Sequence, residues 1–286
     1  MKVKILCDST CDSTSEILKD NNIDYLPLIV NLGDEERLDT VNISNSEIRD
    51  YVSKTGKLPK TAARSIEDYK NFYKNFYDEG YDIVFISIGA QLSVSHHNAV
   101  TASQEIDPNR IFVVDSRSLS TGSLLLALSG VELAKNGKSA KEIFDILTQR
   151  SYQLQVSFVV DTLDYLRKGG RCSTLAAFGA NLLKLKPKLQ LIDGKIISTE
   201  KYRGKMNSVL KKYIDDTISL YDNPDTTRCF ITHADADREV VNEVIAHVKE
   251  KNIFKEVIET TAGSTIYSHC GKGTLGILYI NDGGNF

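Results

Sequence analysis

The chain has 286 residues, 41% hydrophobic and 26% charged, with a formal net charge of −3, a balance that suits a soluble fold with one large core or two ordinary ones. No run approaches the roughly 18 consecutive apolar residues of a membrane span, and Met1-Lys2-Val3-Lys4-Ile5 lacks the apolar stretch of a signal peptide, so a cytoplasmic protein is expected. Five cysteines without regular spacing exclude a disulfide framework of the small secreted kind; Cys7 reads as a buried strand residue, too far from Cys11 for a Cys-x-x-Cys motif.

In chain order, Val3 to Cys7 is a short β-rich run, and Ser13-x-x-Glu16 signals a capping box for the helix that follows. Tyr25 to Leu32 predicts one strand, and Ser44-x-x-Glu47 starts a helix reaching about Ser53. Lys57 to Thr61 is loop-like. Ser65-x-x-Asp68 then caps a helix carrying Tyr69, Phe72, Tyr73 and Phe76 at i, i+3, i+4 and i+7, the spacing of a core-facing stripe. Asp82 to Ile88 and Arg110 to Val114 are near-continuous apolar strands, the mark of a parallel sheet covered on both faces, with a helix from about Val94 to Glu105 between them.

The second half opens with a strand at Val156 to Val160 and a short helix in Asp161 to Arg171 that ends on a double glycine. An apolar run of small residues follows, Leu175 to Leu183. Leu189 to Ser198 predicts a hairpin around Asp193-Gly194, which suits a type I′ turn. Helices at about Lys205–Tyr221 and Asp237–Lys251 alternate with strands at Arg228–Thr232, Lys255–Thr260 and Leu275–Ile280, an order that fits a mixed sheet with helices.

Charge is unevenly spread. From Asp161 to Tyr213 twelve Lys or Arg stand against four acids, a net of +8 that leaves −11 for the remainder. Such a segment is either a solvated face or a patch for an anionic partner. Among single residues, Ser93 lies at the predicted start of a helix, where a hydroxyl and unpaired backbone N–H groups favour an anion, although serine is also an ordinary N-cap. Thr61 lies in a loop between a proline and a capped helix. His269 sits in a glycine-containing turn before a strand.

These segments, in this order, resemble the DegV family: Asp8-Ser9-Thr10-Cys11-Asp12, Lys60-Thr61, Leu92-Ser93 with Ala99, Asp115-Ser116, Asp161 to Arg171, Lys186-Pro187, Gly194-Lys195 and His269 to Gly273. The resemblance spans nearly the whole chain. It implies an α/β protein of two domains: residues 1–155 as a three-layer α/β/α domain with a parallel sheet, and residues 156–286 as an α/β domain with a mixed sheet and helices. It further implies one long-chain fatty acid in a tunnel between them, with Thr61, Ser93 and His269 at its carboxylate, no cofactor, and no catalysis by this chain. By the same resemblance a separate ATP-dependent fatty acid kinase would act on the presented carboxylate. Arg171 and Arg203 are then candidates for kinase or phosphate contacts, and Ser95, Ser116 and Lys272 for further ligand or partner contacts. The sequence departs from the family pattern at three places: Val94 stands where glycine is common after Leu-Ser, Ala62-Ala63-Arg64-Ser65 replaces Ser-Gln-Pro-Ser, and Lys272 replaces a proline.

Other readings remain open from the residues alone. Ser93 and His269 could form a nucleophile and base, with Asp8 or Asp115 orienting the histidine in a hydrolase arrangement. Arg64, His96, His97 and Lys272 would suit a more polar carboxylate. Nucleic-acid binding through the basic segment and metal binding through His96, His97, His233 or Cys270 are weaker, for want of a recognised motif or ligand spacing.

Overall fold

The computed structural model describes residues 2–172 and 185–284, so the Leu175–Leu183 run lies outside the described residues. The first half contains β1 (Lys2–Asp8), α1 (Ser15–Asp20), β2 (Asp24–Leu26), β3 (Ile29–Leu32), β4 (Glu35–Leu38), α2 (Asn45–Thr55), β5 (Lys60–Ala62), α3 (Ile66–Tyr77), β6 (Tyr81–Ser87), α4 (Ser95–Ile106), β7 (Ile111–Asp115), α5 (Thr121–Lys135) and α6 (Ala140–Ser151). The second half adds β8 (Leu154–Val159), α7 (Asp164–Gly169), β9 (Leu185–Ile192), β10 (Lys195–Arg203), α8 (Met206–Leu220), β11 (Arg228–Ala234), α9 (Arg238–Glu250), β12 (Glu256–Thr261), α10 (Ser264–Cys270) and β13 (Thr274–Ile280).

The apolar strands of the first half form an all-parallel sheet in the order β2-β1-β6-β7. Side chains alternate along each strand, so the sheet has two buried faces. Leu6, Ile83 and Phe85 pack on α3 and α4 with the aromatic stripe; Tyr69 meets Phe85 edge-on at 5.6 Å. Ile5, Cys7, Val84 and Ile86 face the other way, toward α5 and α6.

The second sheet is mixed, in the order β10-β9-β8-β13-β11-β12, with only β11 and β12 parallel among its pairs. Its outer face carries α8 and α9 through Tyr213, Ile214, Val241 and Val244. Its inner face turns Val156, Phe158 and Leu278 toward α5. Twelve of the fifteen residues of α5 are buried, because this helix is the middle layer for both sheets and has no solvent side. Gly122 makes that possible: a Cβ there would stand 2.2 Å from Ser118 Oγ and 2.8 Å from Val156 Cγ2.

Several boundaries differ from expectation. The predicted strand Tyr25–Leu32 is two strands. Pro27 interrupts it, and the Leu28 N–H donates to Ser9 Oγ at 3.0 Å, which turns β3 away to build a small antiparallel sheet, β4-β3-β5. Residues 60–62, expected as loop, form β5, where Thr61 is the partner of Val30. The first helix is capped by Thr14, whose Oγ1 accepts from Ile17 N, rather than by Ser13. Capping boxes at Ser44 and Ser65 form as the sequence predicts. So does the hairpin: Asp193 and Gly194 both take positive φ, 49° and 75°, as a type I′ turn requires.

The five cysteines are all buried thiols. Among the described residues no helix is long and apolar enough to cross a membrane.

Candidate functional site

A cavity of about 360 Å³ lies between the inner face of the second sheet, α10, and the segments of the first half that follow β2 and β6 and precede α5. Its walls are mainly apolar, drawn from the first half through Leu28, Ile88 and Leu92 and from the second through Val156, Phe158 and Leu278. Its polar lining includes Ser120, Thr232, His233, Thr265 and Thr274, and four residues that the sequence already nominates: Thr61 on β5, Ser93 before α4, Arg171 after α7 and His269 on α10. Val94, 59% exposed, and exposed Ala62, the chain neighbours of Ser93 and Thr61, line it as well, so a mouth lies beside these two residues.

The four residues arrive by different routes. Thr61 is fixed by pairing with β3, and its Oγ1 lies 2.8 Å from His269 Nε2. His269 is not in a turn, as its neighbouring glycines led one to expect, but in the last turn of α10, which ends at Gly271. Ser93 is not the N-cap of α4. The tight turn after β6 runs one residue further, held by Leu92 N and Ser93 N donating to Gly89 O at 2.9 and 3.3 Å, and Val94 occupies the cap position. The Ser93 hydroxyl instead accepts from Ser95 N at 3.1 Å and donates to Ser95 Oγ at 2.9 Å, staying at the helix start and on the cavity wall.

The double glycine has two separate physical reasons. Gly170 closes α7 in the left-handed region, φ 71°. Gly169 is needed for close approach, since a Cβ there would stand 2.6 Å from His269 Nδ1. Arg171 then donates from Nη1 to Gly169 O at 2.7 Å. The loop that carries the arginine therefore also backs the imidazole.

Burial, and secondarily the Arg171 guanidinium, push the His269 imidazole down to about 4. The ring is neutral at physiological pH, and its Nδ1 is buried without a hydrogen-bond partner. An unfolded histidine titrates near 6.5, so the unfolded chain takes up this proton first on acidification. The contribution to stability is fully present above pH 6.5 and is lost as pH falls through 4, about 3 kcal/mol in all. His269→Gln should therefore lose less stability than the wild type between pH 6.5 and 4, measured as urea midpoints across that range; parallel curves for the two proteins would contradict it.

The remaining sequence candidates do not join this cluster. Ser95 is buried behind Ser93, and Ser116 is held in its own turn by Ser118 N and Ser123 Oγ, at 3.1 and 3.0 Å. Arg203 and Lys272 are exposed, and neither lines the cavity. Arg64 pairs with Asp68 at 2.8 Å, and His96 bonds Ser87 at 2.8 Å.

A hydrolase relay is not assembled. Ser93 is bonded to Ser95 and His269 to Thr61. Asp8 accepts from Thr10 and from Ile88 N, and Asp115 from Ala90 N and Arg117 N, so neither carboxylate orients the imidazole. Among the described residues no His, Cys, Asp and Glu cluster of three or more has metal-binding geometry.

What sequence reasoning missed is a further hydroxyl on the cavity wall. Ser120 lines the cavity with φ 56° and ψ −147°, a region occupied almost only by glycine. No periodicity or motif announces that conformation.

Comparison with known proteins places these features in context. The model of a family described as "Uncharacterised protein, DegV family" matches residues 2–282. A fatty acid-binding protein of Thermotoga maritima is 32% identical over 287 residues, covering 96% of each chain. A DegV family protein from Thermus thermophilus, described for its fatty acid binding, superimposes with a TM-score of 0.91 at 27% identity, covering 98% of this chain and 100% of that one. A stearic acid-binding protein from Eubacterium ventriosum gives a TM-score of 0.84 at 27% identity, with 98% of each chain covered.

Proposed function

This chain belongs to the DegV family, and from that premise we propose that it binds a single long-chain fatty acid in the cavity between residues 1–155 and 156–286, acting as two domains, and presents the carboxylate at the mouth to a separate ATP-dependent kinase. The observation that carries the reading is the lining of the cavity: mainly apolar walls drawn from both halves, with Thr61 and Ser93 beside exposed wall residues, His269 bonded to Thr61, and the exposed Arg171.

The division of labour follows from solvation. An acyl chain of about 16 carbons at about 0.8 kcal/mol per CH₂ supplies on the order of 12 kcal/mol of gross transfer free energy, before the costs of ordering. A carboxylate taken out of water without donors would cost several kcal/mol. Thr61 and Ser93 are the donors for it, Ser93 by turning its one proton from Ser95 Oγ to the ligand. In the arrangement we propose, neutral His269 donates from Nε2–H to Thr61 Oγ1, which leaves the threonine proton to bond the ligand oxygen. Nδ1 is then a bare lone pair against Gly169, a cheaper state than a buried N–H without an acceptor. Arg171, exposed at the mouth, supplies the compensating charge and a contact for the kinase. A cytoplasmic location and roles for Ser95, Ser116, Arg203 and Lys272 at the edge of a kinase interface belong to the same proposal. None of the steps asked of this chain is covalent.

The direct test is native mass spectrometry of protein purified without added lipid, followed by denaturation and identification of what is released. A stoichiometric fatty acid is expected, and it would give chain length and saturation together. A ligand-free protein that then ignores a panel of fatty acids would refute the proposal and favour a more polar acid.

A further inference from the structure

The helix that carries His269 is only seven residues long, and its N-cap, Gly263, has no side chain with which to cap it. The start of the helix is met instead from the other end of the chain, where Asp39 faces the first helical amides, those of Ser264 and Thr265, and Asp12 holds Gly263. Asp12, which follows the 3-10 turn Ser9–Cys11, accepts from Gly263 N at 2.8 Å through Oδ1. Its Oδ2 accepts from the hydroxyl of Ser120 at 2.5 Å. Asp12 is 2% exposed and does not line the cavity.

Two backbone facts show that this junction is held under constraint. Asp12 is itself left-handed, φ 50°, and Ser120 occupies its glycine-like region without being glycine. A Cβ at Gly263 would come within 3.2 Å of Asp12 Oδ1 and of Asp39 Oδ1, so the helix start is pressed against these carboxylates. At its other end α10 meets the first half again, through His269 and Thr61. One short helix is thus gripped by the first half at both ends, and cavity wall residues Thr265 and Ile266 lie between the grips.

We propose that Asp12 is a positioning residue for the carboxylate site: by holding the start of α10 and the hydroxyl of Ser120 together, it fixes the helix at the depth that keeps His269 on Thr61 and away from water. The inference rests on the fatty-acid reading for its consequence in binding, but not for its consequence at the imidazole. The competing reading is a cap that only adds stability to the fold.

The imidazole separates the two. If Asp12 sets the depth of α10, Asp12→Ala will let water reach His269 and raise its pKa from about 4 by a unit or more toward 6.5, followed by NMR with the resonance assigned from its absence in His269→Gln. Asp12→Asn, which keeps an acceptor for Gly263 N, can donate to Ser120 Oγ and tolerates the left-handed backbone, will stay near the wild-type value. Val244→Ala, in the α9 core remote from the cavity, supplies a destabilised control that leaves it unchanged. Dissociation of bound palmitate should quicken at least tenfold in Asp12→Ala and less than twofold in Asp12→Asn. An unmoved imidazole in Asp12→Ala, or an equal shift in Asp12→Asn or in Val244→Ala, overturns the proposal. Should Asp12→Ala not fold, Ser120→Gly suits the backbone and removes the hydroxymethyl group that bonds Asp12, and a rise in the same direction is expected; no rise overturns it. Failure of every variant, and of the wild type, to bind palmitate would count against the fatty-acid reading and leave the titration to decide the role of Asp12.

Discussion

Thr61→Ala combined with Ser93→Ala will weaken fatty-acid binding about a hundredfold or more while the protein stays folded. The estimate takes hydrogen bonds to a charged group as about 1.5–3 kcal/mol each, two of them, at about 1.4 kcal/mol per factor of ten. The tail and its apolar walls are untouched, so residual binding should persist. The substitutions should lower the melting temperature by no more than about 5 °C, because the Ser93 hydroxyl is partly exposed while loss of Thr61 leaves His269 Nε2 without its partner. Calorimetric titration with palmitate beside a thermal melt checks both halves. Unchanged affinity would remove these residues from the carboxylate site. Single variants should each show a smaller loss, and the larger one is expected for Thr61, which also orients the imidazole.

The second large effect is on stability and lies far from the cavity. Arg150 on α6 is 3% exposed and reaches across to the second half, donating from Nε to Asp282 at 2.7 Å and from Nη2 to Asp225 at 2.8 Å, with Nη1 on Ser129 at 2.8 Å. Burial opposes ionisation of Asp225, yet hydrogen bonds from Thr227 and Arg150 bring its carboxyl below the usual range. Arg150→Ala strands two largely buried carboxylates together. The expected cost is about 3–5 kcal/mol, a drop of roughly 10 °C in melting temperature. Arg150→Lys should recover only part of it, since an ammonium cannot reproduce the fork of the guanidinium. A drop in Arg150→Ala of under about 2 °C would show that the network is not holding the halves together.

Much of the architecture was legible because its signals are local. Asp193-Gly194 declares its turn by needing two left-handed residues in succession, and Ser44 and Ser65 each carry their capping partner three residues on. The aromatic stripe of α3 shows its buried face in its spacing, with Tyr69 and Tyr73 fully enclosed. What was not legible depends on distant partners. β5 is three residues long and exists through pairing with β3. α10 is capped by residues more than 200 positions upstream, so its sequence reads as a turn. α5 lacks an amphipathic period because both of its sides are buried. The same holds at the site: Thr61, Ser93 and His269 could be nominated by family resemblance, but the Thr61–His269 contact and the clearance provided by Gly169 are products of the fold.

The place of α5 has a consequence for how such a protein can vary. A helix enclosed by two sheets must satisfy two surfaces with one sequence: Gly122 clears Val156 on one side, while Gly130 lies within reach of Ile5 on the other, where a Cβ would stand 3.2 Å from Ile5 Cδ1. Either half transplanted from a relative would meet a helix shaped for a different neighbour. Drift in the two sheets is therefore tied together through residues that never see the ligand, and chimeras of this architecture should succeed only when the helix and both of its facing strands travel as a set.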